Sequence, residues 1–89
     1  MELSTQTWTV ELQLSERDGV SHAEARLVTG LPTSLTATGD ARLSPHDPAD
    51  VAEIGYELAA ARALTHLGEA LLRTADADVE GLLHDLHRR

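Results

Sequence analysis

Cysteine and phenylalanine are absent from the 89 residues, and so are lysine and asparagine. Without cysteine there are no disulfides, no thiolate nucleophile and no cysteine-ligated zinc. Aromatic side chains amount to 2%, one Trp and one Tyr, so the core has to be assembled from Leu, Ala and Val. Such a small core is of marginal stability by itself. No apolar run approaches the roughly 20 residues of a membrane helix. Met1-Glu2-Leu3-Ser4-Thr5-Gln6-Thr7 has neither a basic start nor an apolar stretch, so a cytoplasmic protein with no membrane partner is expected. Positive charge is scarce as well. Seven arginines face 15 acidic residues, for a formal net charge of -8 and a pI near 4.8. That field opposes the tracking of phosphates, so free nucleic acid is a disfavoured partner. Lysine and asparagine have A/T-rich codons, as does isoleucine, present only as Ile54; their scarcity points to a high-GC bacterial genome.

Ordinary globular usage remains, with 42% hydrophobic and 25% charged residues, enough for a single domain over 1–89. Trp8, Val10, Leu12 and Leu14 alternate with polar residues, the period of a half-buried strand over about 7–15. Asp18-Gly19 is a two-residue hairpin signal. Pairing outward from it sets Leu14 against Ala23, Leu12 against Ala25 and Val10 against Leu27, with Glu11 opposite Arg26 on the other face. A second strand then spans about 20–28. A third, about 35–43, alternates Leu35, Ala37, Gly39, Ala41 and Leu43 with polar residues. The inner face is thus a shallow trough floored by alanine and glycine, which lets a helix backbone come close.

The helix is expected over about 50–73, after a breaker segment with Asp47-Pro48 or Asp50 with Glu53 as caps. Ile54, Leu58, Ala61, Thr65, Gly68 and Leu72 form the stripe assigned to the trough. A second stripe, Ala60, Leu64, Leu67 and Leu71, stands about 100° around the helix and needs other cover. Val79, Leu82, Leu83 and Leu86 recur at helical spacing, which predicts a short second helix over about 77–87, beginning after Thr74 or Asp76. A helix that short needs a surface to dock on, in its own chain or in another. The expected fold class is α+β, a three-stranded antiparallel meander with a long and a short helix, in the order β-β-β-α-α. The expected dimer interface comprises Ala60, Leu64, Leu67, Leu71, Leu82 and Leu86, with the third strand contributing an edge.

Few constellations carry chemistry. His84 and His87 stand three apart, but spacing places no third ligand, and both suit the end of a helix, so no metal is expected. No Gly-x-Ser-x-Gly elbow and no phosphate-cradling glycine cluster is present, and no cofactor is implied. Glu11, His22, Glu24, Arg26, Asp40 and Arg42 fall on the outer sheet face. A histidine beside carboxylates can do acid–base work. An open face offers no pocket, however, and a polar contact surface is the better expectation.

Asp47-Pro48, Glu53-Ile54-Gly55, Glu57-Leu58-Ala59 and Ala61-Arg62-Ala63-Leu64 resemble the actinobacterial domain-of-unknown-function 1876 family, small dormancy-associated proteins. Gly39-Asp40-Ala41-Arg42 and the hairpin from Trp8 to Leu27 fit as well, so the resemblance covers nearly the whole chain. It implies a fold like that of double-stranded-RNA-binding domains (dsRBD-like) without the first helix. It also implies a homodimer and a likeness to ribosome hibernation factors in stressed cells. No catalytic residue comes with it. Ala52 stands where the family has proline, and Leu43-Ser44-Pro45 where members carry a more basic Arg-Asn-Pro, which weakens an RNA contact there. The expectation is a non-enzymatic binding protein: a hibernation-like ribosome ligand, or alternatively an acidic module for a basic protein.

Overall fold

The alternating segments form three strands, β1 (Thr9–Arg17), β2 (Val20–Val28) and β3 (Leu35–Arg42), followed by one helix, α1 (Val51–His87). The structure, a computed structural model, describes residues 2–31, 34–42 and 51–87. Both segments expected to cap the helix, and Leu43 of the third strand, lie outside the described residues. The strands form one antiparallel sheet in the order β1-β2-β3.

Turn chemistry sets the register. Asp18 and Gly19 both have positive φ (54° and 79°), the type I′ geometry whose twist matches a hairpin. The Gly19 amide donates to Glu16 Oε1 at 3.1 Å. The pairs Leu14↔Ala23, Leu12↔Ala25, Val10↔Leu27 and Glu11↔Arg26 are those expected from the sequence. Because the turn consumes only two residues, β1 runs on to Arg17, opposite Val20, two residues beyond the expected end.

The core lies between α1 and the strands β2 and β3. Ala23, Ala25, Leu27 and Ala41 from the sheet meet Ala59, Ala63 and Leu67 from the helix, with Leu35, Ala37 and Leu71 packed at the margin. At the crossing the backbones nearly touch. A Cβ on Gly39 would lie 2.6 Å from the carbonyl oxygen of Ala59 and 2.7 Å from Arg62 Cβ, and would also strike the Ala63 amide nitrogen. The trough of small residues is therefore real, but the helix face expected to fill it is not the one that does. Ile54, Leu58 and Leu72 are 50%, 43% and 64% exposed, while Gly55, Ala59 and Ala63 turn inward. A floor of alanine and glycine rewards the closest backbone approach, and only the smallest helix residues permit it. Leu58 in their place would hold the helix off the sheet.

The short second helix is also corrected. Among the described residues there is one helix, and α1 runs unbroken through Thr74, Asp76 and Asp78 for 37 residues. No proline or glycine falls between Leu72 and Glu80, and Ala75 and Ala77 favour propagation once a helix has formed. Thr74 does not cap a new start; its hydroxyl donates backward to the Ala70 carbonyl at 3.0 Å. At 1.5 Å per residue α1 is about 55 Å long against about 30 Å for the strands, so its last turns overhang the sheet. An unbroken helix cannot fold back on itself, and Val79, Leu82, Leu83 and Leu86 stay exposed.

Strands stand about 4.8 Å apart and a helix is about 10 Å across, so one helix covers about two strands. β1 is the strand left over. All nine of its residues are exposed, including Val10, Leu12 and Leu14 on the helix side.

Candidate functional site

The outer sheet face collects the polar residues read from the sequence into cross-strand rows. Glu11 and Arg26 face each other on β1 and β2, and the guanidinium donates to Glu11 Oε2 at 2.5 Å. His22 on β2 lies between Ser15 of β1 and Asp40 of β3, and its Nδ1 donates to Asp40 Oδ1 at 2.5 Å. Glu24 sits between Gln13 and Thr38. Arg42 is opposite Val20 and, with Arg17, Ser15, His22 and Asp40, lines a solvent-open depression of about 560 Å³. The side chains of both ion pairs are 46–65% exposed. Pairs of that kind contribute only about 0–1 kcal/mol each and are weakened by salt. Glu11, Glu24 and Asp40 balance Arg17, Arg26 and Arg42, and with Asp18 at the rim of the depression this face is only weakly acidic.

Ser15, His22 and Asp40 form a row resembling a nucleophile, a base and its orienting carboxylate. The row lies on flat strand surface, where backbone N–H groups lie in the plane of the sheet. None of them points outward to stabilise an oxyanion. The open depression excludes no water. His87 donates through Nδ1 to the Leu83 carbonyl at 2.8 Å within α1, and no group of potential metal ligands occurs among the described residues.

The residues expected at a dimer interface separate. Leu67 is 5% exposed and belongs to the chain's own core, and Leu71 packs at its margin. Ala60 is half-buried, and Leu64, Leu82 and Leu86 are exposed. A change at Leu67 therefore reports on the fold of one chain before it reports on assembly.

Two features are not signalled by the hydrophobic pattern. One is the charge of α1: Glu53, Glu57, Glu69, Asp76, Asp78, Glu80 and Asp85 stand against Arg62 and Arg73, and all are exposed. The net charge of the protein is thus concentrated on the helix. The seven acids are in plain view in the sequence, but a break near Thr74 divides them between two helices. The other is a pair of side-chain clamps on β3. Arg62 donates to the Asp40 carbonyl at 2.6 Å, and His66 Nδ1 donates to the Thr38 carbonyl at 2.7 Å. The i, i+4 spacing beside Ala59 and Ala63 is the available signal, visible only with the correct helix face.

Residues 6–88 match the profile of a family described as Rv2632c-like. An uncharacterized protein of Mycobacterium tuberculosis (strain CDC 1551 / Oshkosh), MT1780, is 42% identical over 79 residues, covering 89% of this chain and 82% of its own. Uncharacterized protein Rv2632c of Mycobacterium tuberculosis (strain ATCC 25618 / H37Rv) is 37% identical over 78 residues, with 88% and 82% covered. The crystal structure of Rv2632c superposes with a TM-score of 0.84 at 36% identity, covering 94% of this chain and 98% of that one. No helix among the described residues is long and apolar enough to cross a membrane.

Proposed function

The chain belongs to the Rv2632c-like family, and from that premise we propose a non-enzymatic, cytoplasmic binding protein that works as a homodimer and docks basic protein surfaces through α1. The division of charge is the observation that carries this. The sheet face is nearly balanced, whereas the solvent side of α1 bears seven acids and two arginines, one of them occupied by the Asp40 carbonyl. Such a helix attracts lysine- and arginine-rich surfaces and repels phosphate backbones. The absence of outward-pointing backbone donors around His22 speaks against acyl-transfer chemistry at the acid–base pair it forms with Asp40. The homodimer is supported by the apolar row of β1 and the helix overhang, more exposed apolar surface than one chain covers.

The ribosome-hibernation role that the domain-of-unknown-function 1876 resemblance implies is a narrower form of the same proposal. Its contact would then run through basic ribosomal proteins rather than ribosomal RNA. Fluorescence anisotropy with a labelled arginine-rich peptide and with a labelled RNA duplex separates the two chemistries. The peptide should bind, weaken as salt rises, and lose affinity for the variant Glu69→Gln, Asp76→Asn, Glu80→Gln. The duplex should not bind at physiological salt. Duplex binding with a steep salt dependence would overturn the basic-protein reading in favour of an RNA ligand.

A further inference from the structure

The sheet has two edges, and the chain treats them differently. On β3 the ladder alternation turns the carbonyls of Thr38 and Asp40 outward, and His66 and Arg62 already bond them. An incoming strand would have to displace both clamps. β1 has no such cover. Arg17 and Val20 flank a two-residue turn and bond each other, so the backbone groups of Val10, Leu12, Leu14 and Glu16 point away from β2. Nine residues of unpaired edge, with Trp8 just before them, thus carry the apolar row Trp8, Val10, Leu12 and Leu14, each 40–49% exposed. Natural sheets rarely leave so long an apolar edge bare.

We infer that a second copy of this chain adds at β1, antiparallel and about a two-fold axis at Leu12, giving one six-stranded sheet beneath two helices. The inference rests on the homodimer proposed above and names its interface. The strand is self-complementary in that register. Leu12 faces its own counterpart, Val10 faces the counterpart of Leu14, and Glu11 faces the counterpart of Gln13. An axis at Glu11 sets two glutamates opposite each other, and an axis at Gln13 sets Val10, inside the strand, against Glu16, whereas the axis at Leu12 brings Glu16 only against Trp8, which precedes β1. Any axis between residues turns the apolar row onto the polar face.

The helix argues for the same occupant. Trp8, Leu71, Thr74 and Asp78 line one cavity of about 380 Å³ together with residues from the end of β2 and the start of β3, so α1 leaves the sheet at the end where β1 begins. Residues 79–87 run on past that corner with Val79, Leu82, Leu83 and Leu86 exposed. A second copy on β1 brings its own sheet and helix alongside the corner from which this overhang leaves, which a lone peptide strand on the edge would not. The exposed row and the overhang together offer several hundred Å² per protomer, on the scale of the roughly 800 Å² that each side of a stable interface buries.

The chain has no cysteine, so one introduced thiol reports on one site. Facing residues of a hydrogen-bonded antiparallel pair stand about 5.5 Å apart between Cα atoms, within disulfide reach. Leu12→Cys should therefore oxidise to a covalent dimer under mild conditions, while Thr36→Cys on β3 should not. Independently, Leu12→Lys should halve the mass seen by light scattering at micromolar concentration with an unchanged circular dichroism spectrum. A monomeric parent would defeat the homodimer reading itself. A dimeric parent that survives Leu12→Lys, with no cross-link in Leu12→Cys, would leave the homodimer standing and overturn the β1 interface. If Leu12→Lys fails to fold, the cross-link decides alone, and its absence overturns the inference.

Discussion

Replacing Gly39 by alanine adds one methyl group at the point where β3 crosses α1. The new Cβ would stand 2.6 Å from the Ala59 carbonyl oxygen and 2.7 Å from Arg62 Cβ, and would meet the Ala63 amide. Two of these three neighbours are backbone atoms, which no rotamer change can move aside. Comfortable separation for such atoms is about 3.5–4.0 Å, so the helix must lift by about 1 Å. Lifting it loosens Ala59, Ala63 and Leu67 against the sheet and stretches both clamps on β3. Overpacking of this kind costs about 1–3 kcal/mol. For a chain of this size that lowers the melting temperature by roughly 5–20 °C. Urea titration should show a lower midpoint at an unchanged slope. The same substitution at Gly68 has the opposite sign, because nothing lies within 4 Å of the Cβ position there. In a helix interior alanine is better than glycine by about 0.8–1 kcal/mol, so Gly68→Ala should raise the melting temperature by several degrees. If Gly39→Ala melts within about 1 °C of the parent, the close backbone approach is wrong, and with it the choice of helix face.

Three further outcomes follow from the same packing. Ala25→Leu, at a position with no exposure on the inner face, should cost about 1–3 kcal/mol in thermal or urea unfolding; a parent-like curve would reverse the two sheet faces. Ser21 is fully buried and its hydroxyl has no partner among the described residues, so Ser21→Ala should stabilise, by up to about 1 kcal/mol; a loss of stability would mean that the hydroxyl is bonded. Ala75→Pro interrupts α1 where the sequence pattern suggests a second helix begins, and should cost about 3 kcal/mol of local helix stability with a visible fall in helical circular dichroism; an unchanged spectrum would restore a break between two helices.

The strands are largely legible in the amino-acid order alone. Asp18-Gly19 admits the two positive φ angles of a type I′ turn, and the alternation on either side leaves one register that keeps apolar residues on one face. The extent of β1 is less so, because Glu16 and Arg17 continue no apolar alternation although the two-residue turn pairs them with Ser21 and Val20. On the helix, the sequence offers two apolar stripes, Ile54 with Leu58 and Ala60 with Leu64. The line that packs, Gly55, Ala59, Ala63 and Leu67, lies on the side of the second stripe away from the first and shares Leu67 with it. A rule that buries the largest side chains chooses wrongly over a floor of alanine and glycine. Thr74, Asp76 and Asp78 look like punctuation, yet inside a helix already formed they interrupt nothing. The alternation places the polar residues of the outer face correctly, but their pairing within the sheet leaves them nearly neutral, and the stronger charge lies on α1.

The hairpin, its register, the small-residue trough and the acidic excess follow from the order of amino acids, since each arises among residues close along the chain or from simple composition. Which side of α1 meets the sheet was decided only in the tertiary structure, by how nearly two backbones can approach at Gly39. From that single choice follow the clamps of Arg62 and His66 on β3 and the bare apolar row of β1. A helix wide enough for two strands, drawn toward β2 and β3 by their alanines and glycine, has no width left for the third.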